Sequence, residues 1–231
     1  MLIVNRKAFA IGSMLTLGFL VALIVIFSPL FGQGMNGLEY ADDVFNKLSK
    51  GSSYFIPKLA RTGEGMIGRH VNVEIRLASQ DQAQRSKTLL AAAGMAVQDD
   101  RTRLLVAGDL GQLLRLALDD ADAGYRNDNA TLQERHGMAA REVLATWWYL
   151  LHAIDKVLKQ EHRLAEAKAA HEVMKKAIEP AYNYHGIDAR TVGEMAGTMG
   201  TLLVFYVLYT IWWGSAIYFL FEGVGLIMRR T

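Results

Sequence analysis

The sequence predicts an α+β protein, predominantly α, in which two terminal transmembrane helices flank one soluble domain. Three observations carry that expectation. Uncharged apolar runs stand at both ends of the 231-residue chain, His70–Leu77 alternates like a strand, and long amphipathic helical patterns fill the second half. Apolar residues make up 52% of the chain and charged residues 21%, so the hydrophobicity is concentrated at the ends. A net charge of +2 offers no broad basic field for nucleic acid, and the lack of cysteine excludes a disulfide framework and thiolate chemistry.

Residues 1–7 read as a short tail carrying Arg6 and Lys7. No charge follows until Glu39, and the first span is placed at residues 8–32. That is ample for the roughly 20 residues a helix needs to cross a hydrocarbon core about 30 Å thick. Pro29 is expected to end or kink it. A cleaved signal peptide is the competing reading. The run exceeds the usual h-region of about 7–15 residues, and SPLFGQGMNG offers no small-x-small cleavage site, which favours an uncleaved anchor. The second span is placed at residues 196–222, where Gly197–Phe221 would reach about 37 Å as a helix. Glu222 then falls at headgroup level near Arg229 and Arg230, which favours an interfacial carboxylate over an intramembrane ion site. Residues 223–231 complete an interfacial and cytoplasmic tail. The basic flanks of both spans place both termini in the cytoplasm, with residues 33–195 periplasmic at the inner membrane of a Gram-negative cell.

Within residues 33–195, Leu38, Ala41, Val44, Phe45 and Leu48 lie on one helical face. A helix under the domain suits this face better than one on the membrane surface, given Asp42 and Asp43. Gly51, Pro57, Gly63, Gly65 and Gly68 predict a connector with short helical turns. Residues 70–124 read as a strand-helix-strand-strand-helix unit. Ser79 caps the first helix, Gly94 closes it, Asp99-Asp100 turns a hairpin, and Asp109 caps a helix with leucines at 110, 113, 114, 116 and 118. Gly108–Gly111 lacks the phosphate-loop patterns and reads as a strand-to-helix turn. Residues 137–180 read as a helical hairpin. Its first arm carries Val143, Trp147, Leu150, Leu151, Ile154, Val157 and Leu158 on one stripe, and Pro180 ends the second arm. One continuous helix is the rival, since neither glycine nor proline interrupts the join at Glu161–Arg163.

Little chemistry is legible. The six histidines form no ligand pair at helical spacing, and Asp119, Asp120 and Asp122 read as a solvated helix end. His185, beside Tyr182 and Tyr184, reads as part of an interfacial aromatic group, and Asn129-Ala130-Thr131 is a sequon of a kind common by chance. No catalytic residue, metal site or cofactor is assigned. The expectation is a non-catalytic accessory or scaffold protein of an envelope complex, in contact with membrane lipid and with copies of itself or other membrane subunits. Gly197 and Gly200 would allow close helix packing, and Trp212 and Trp213, deep in the second run, suit protein contact more than a belt position. Trp147 and Trp148 are candidate interface anchors, or a platform for stacking a ligand. The alternatives are an extracytoplasmic ligand sensor working through a separate signalling partner, and an oligomeric channel or transporter component using Glu222.

Overall fold

A three-stranded sheet and ten α-helices account for most of residues 3–226, the part of the chain that the computed structural model describes. Arg229 and Arg230 lie outside the described residues. The chain divides into two compact units, Met1–Leu48 with Arg190–Thr231, and Ser49–Ala189.

The first unit is built on two long apolar helices, α1 (Arg6–Phe27) and the last helix, α10 (Val192–Gly223). Asn5 caps α1 by accepting from the Ala8 N–H at 3.1 Å, and α1 stops two residues before Pro29, which disfavours helix in the residue ahead of it. A capping box opens α10: Thr191 Oγ accepts from the Glu194 N–H, and Glu194 Oε2 from the Thr191 N–H. The helices pack side by side and antiparallel, since the Val4 and Asn5 N–H groups at the start of α1 both donate to the Gly223 carbonyl at the end of α10. With 22 and 32 residues, α1 and α10 are about 33 and 48 Å long. Both are long and apolar enough to cross a membrane, and their most apolar windows are only 11% and 6% buried within the protein. Helix α2 (Gly37–Ser52) follows the first of them. Its predicted stripe divides: Val44 and Leu48 are buried, whereas Leu38 and Phe45 are exposed.

In the second unit, α3 (Ile56–Glu64) replaces the expected connector. Pro57 sits in its first turn, where a missing N–H costs nothing, and Gly63 faces Leu114 and Leu118 with room for an ordinary contact. Then come β1 (His70–Arg76), α4 (Gln80–Ala92), β2 (Ala96–Asp100), β3 (Arg103–Asp109) and α5 (Leu110–Tyr125), the expected order. The sheet runs β1-β3-β2, antiparallel throughout, with Val73 opposite Val106 and Val106 opposite Val97. The hairpin turns at Arg101-Thr102, two residues later than expected. Asp99 and Asp100 fit the strand because β2 is an exposed edge, where Asp99 pairs with Lys87 at 2.8 Å.

Helix α5 is central. Its buried face runs from Leu110 through Leu113, Leu114, Ala117 and Ala121, and it meets α3 and the helices that follow. Those are α6 (Asn129–His136), α7 (Ala140–Gln160), α8 (Leu164–Val173) and α9 (Glu179–Asn183). The chain reverses between α7 and α8, where His162 adopts φ +57, so the hairpin forms and the single continuous helix does not. Pro180, however, does not end the second arm. Between α8 and α9 a π turn, Met174–Ile178, widens the helix, and the Glu179 N–H reaches back five residues to the Met174 carbonyl. That widening relieves the clash proline would otherwise make with the preceding turn, and the helix continues to Asn183. One core joins α3 to α9 with the inner face of the sheet.

Candidate functional site

Along the α1–α10 contact, small residues set the separation. A Cβ on Gly12 would lie 2.7 Å from the Leu220 nitrogen, and one on Gly223 would lie 2.7 Å from the Phe9 Cα, so only glycine fits at either point. Trp212 lies across Gly18 and donates its indole N–H to the Leu15 carbonyl at 3.0 Å. Phe19 stacks on Tyr209 and Trp213, each with ring centres 4.5 Å away. Both tryptophans therefore contact protein within the chain, and Trp213 stays 39% exposed. Glu222 accepts from the Asn5 side-chain amide at 3.1 Å, a partner not visible in the sequence because 217 positions separate them. Gly197 and Gly200 face open space, with nothing within 4 Å of where a Cβ would stand.

The second unit holds a buried polar network. Asp120, fully buried, accepts from the Trp147 indole N–H at 2.7 Å, lies 2.7 Å from His136 Nε2, and receives the Arg135 guanidinium. Three elements assemble it: Asp120 comes from α5, Arg135 and His136 from the last turn of α6, and Trp147 from α7. Gly137, at φ +68, ends α6 in the left-handed conformation that holds His136 in place. The expectation of a solvated helix end holds for the exposed Asp119 and is corrected at Asp120, which stands three and seven residues after the buried Ala117 and Leu113. Trp147 is likewise closed into the core and presents no surface to a partner, whereas Trp148 is only partly buried. His136 Nδ1 is buried with no hydrogen-bond partner.

A second cluster surrounds Lys50, 2% exposed. Its ammonium donates to the carbonyls of Ile187 at 2.5 Å and Tyr184 at 3.1 Å and to Asn127 Oδ1 at 3.3 Å, and it lies 5.1 Å from the centre of the Tyr125 ring. Burial holds the Lys50 amine below its ordinary pKa, partly offset by the Asp188 carboxylate. The Tyr125 hydroxyl donates to the Lys50 carbonyl, and burial, with Tyr184 and Tyr54 nearby, pushes its pKa up to about 12. A cleft of about 430 Å³ opens beside these groups, lined also by Tyr54, Arg126 and Asp188. With all three ammonium protons donated to oxygens, Lys50 acts as a bracket for residues 184–187 and has none left for a ligand. His185 belongs to the same loop: its Nε2 lies 2.7 Å from Asn129 Oδ1, and burial, with Arg141 and Lys50, lowers its pKa.

Among the described residues no three His, Cys, Asp or Glu side chains converge as a metal site. Comparison with family models, curated proteins and solved structures finds no significant match for the chain.

Proposed function

We propose that the chain is an integral membrane protein, anchored through α1 and α10, that serves as a non-catalytic accessory or scaffold subunit of an envelope complex and self-associates. The observation that carries this reading is the exposure of two long apolar helices outside the seam where they meet, with only 11% and 6% of their most apolar windows buried. Around α10, Leu203, Val204, Leu208 and Ile211 are 59–65% exposed. Each such side chain is worth on the order of 1.5–3 kcal/mol when removed from water. Four alone would rival the whole stability of a small domain, about 5–15 kcal/mol, so lipid or protein must cover them.

The antiparallel pairing supports both ends of the chain lying on one side, where the positive-inside rule puts Arg6 and Lys7 in the cytoplasm. On that topology Ser49–Ala189 is periplasmic. The contact between Glu222 and Asn5, at the paired ends of α10 and α1, favours an interfacial carboxylate over an ion pathway. Within the membrane, Gly197 and Gly200 leave a smooth face of α10 available to a second copy or another subunit.

The test is the mass of the particle extracted in mild detergent, with mass spectrometry of its contents. A homogeneous particle several times the 25.7 kDa chain mass supports assembly, and its composition separates self-association from a hetero-complex. A lone monomer sinks the scaffold reading.

A further inference from the structure

On the outer side of α7 and α9 the chain builds an aromatic pocket of about 260 Å³, lined by Ala145, Trp148, Tyr149, Glu179, Tyr182 and Asn183. The Trp148 and Tyr149 rings meet at 89° with centres 5.3 Å apart, so they form two perpendicular walls. His152 stacks flat on Trp148, its ring centre 5.2 Å away, and braces that wall. Tyr149 and Tyr182 remain 44% and 39% exposed, so core packing does not account for rings placed here. Glu179 is the only charged residue in the lining. Its buried Oε2 lies 2.8 Å from Lys175 Nζ but receives no hydrogen bond of acceptable geometry, so the pairing is one of charge alone. The Arg141 guanidinium already stands 5.5 Å from the centre of the Tyr182 ring, so one wall of the pocket draws a cation within the chain itself.

The π turn Met174–Ile178 immediately precedes Glu179 and sets the direction in which Glu179, Tyr182 and Asn183 point. Single π turns inside α-helices occur disproportionately at functional sites. Aromatic faces attract cations through their negative quadrupole, most strongly when the cation is poorly hydrated, and methylated ammonium groups meet that condition.

We propose that this pocket binds a small quaternary ammonium group, with Trp148 and Tyr149 as cation–π walls, Tyr182 shared with Arg141, and the Glu179 carboxylate shared with Lys175. The inference does not depend on the scaffold reading. A trimethylammonium group reaches the pocket either on a free solute such as choline or on a phosphocholine headgroup.

Calorimetric titration of the full chain in maltoside detergent, which carries no choline, tests this with three probes. These are choline, phosphocholine and the uncharged neopentyl-type alcohol isosteric with choline. Saturable binding of choline or phosphocholine, with none of the alcohol, is expected. Phosphocholine binding tighter than choline assigns the headgroup as the source, and otherwise the free solute is the source. Tyr149→Ala, at an exposed position, should weaken binding about tenfold, or about 1.4 kcal/mol, as expected for the loss of one cation–π wall. Glu179→Gln should weaken it by a similar factor. Absence of saturable heat with both trimethylammonium compounds, in protein that keeps its thermal transition, overturns the proposal, as does unchanged affinity in folded Tyr149→Ala.

Discussion

Asp120→Ala removes the one acceptor shared by three donors, and the structure sets the size of the effect. The Asp120 carboxylate is fully buried and faces the Trp147 N–H and His136 Nε2, each at 2.7 Å, together with the Arg135 guanidinium. Truncation strands the Trp147 N–H in the core, and Arg135 loses the only carboxylate it pairs with among the described residues. Breaking a buried charge pair by removing one partner costs about 3–5 kcal/mol. For a protein of this size each kcal/mol moves the midpoint by about 2–4 °C, so the Tm should fall by about 6–20 °C. Asp120→Asn keeps the shape and one acceptor oxygen, and should lose only about 1–3 kcal/mol. The assay is thermal unfolding of the full chain in detergent micelles, followed through near-ultraviolet circular dichroism. If Asp120→Ala and Asp120→Asn both unfold within about 1 kcal/mol of the parent, the network carries no weight and the reasoning fails.

Tyr125→Phe deletes the hydroxyl donated to the Lys50 carbonyl and should cost about 1 kcal/mol at neutral pH. The Tyr125 pKa is raised from 10.0 to about 12, so its contribution is fully present below pH 10 and fades as the pH climbs through about 12. Chemical denaturation at stepped alkaline pH should show the parent losing stability across that window more steeply than Tyr125→Phe. Lys50→Met removes the one group that ties the carbonyls of Tyr184 and Ile187 to Asn127 Oδ1. Each acceptor keeps a second donor, from the Ile187 N–H, the Asn127 amide and the Gly186 N–H respectively, and amide hydrogen exchange at Gly186 and Ile187 should quicken about tenfold. Gly12→Val would push a side chain into the Leu220 backbone and should destabilise the α1–α10 pair by about 1–3 kcal/mol in a detergent melt. Gly200→Val meets open space within the chain, and should leave that melt unchanged while shrinking the particle if Gly200 lies in a contact between copies.

The elements that were legible are those whose signal is local. Val71, Val73 and Ile75 alternate with polar residues and form a strand buried on one face, and Ser79 and Asp109 cap the helices they precede. Helix α3 read only as short helical turns because Gly63 and Gly65 count as breakers, yet Gly63 sits in its last turn at ordinary packing distance from α5. Pro180 read as a stop because the sequence does not display a π turn that accommodates it. The site residues were mostly illegible, since Asp120 meets Trp147 across 27 positions and Lys50 meets Ile187 across 137. One signal was available and unused: Asp120 lies on the apolar stripe of α5, and a carboxylate on such a stripe calls for buried donors.

The π turn at Met174–Ile178 also determines rotational phase. The wide turn absorbs one residue beyond an α-helical count, about 100° of rotation, so that the faces before and after it stay in phase. Ala181 and the core-facing residues before it stay inward on both sides of the insertion, while Tyr182 and Asn183 are brought round beside Trp148 and Tyr149. Deleting one residue from the turn would leave composition, charge and hydropathy almost untouched. It would also restore the clash between Pro180 and the turn before it. Sequences related to this one can therefore be sorted by spacing: five residues between Val173 and Glu179 accommodate a proline at the position of Pro180, and four call for another residue there.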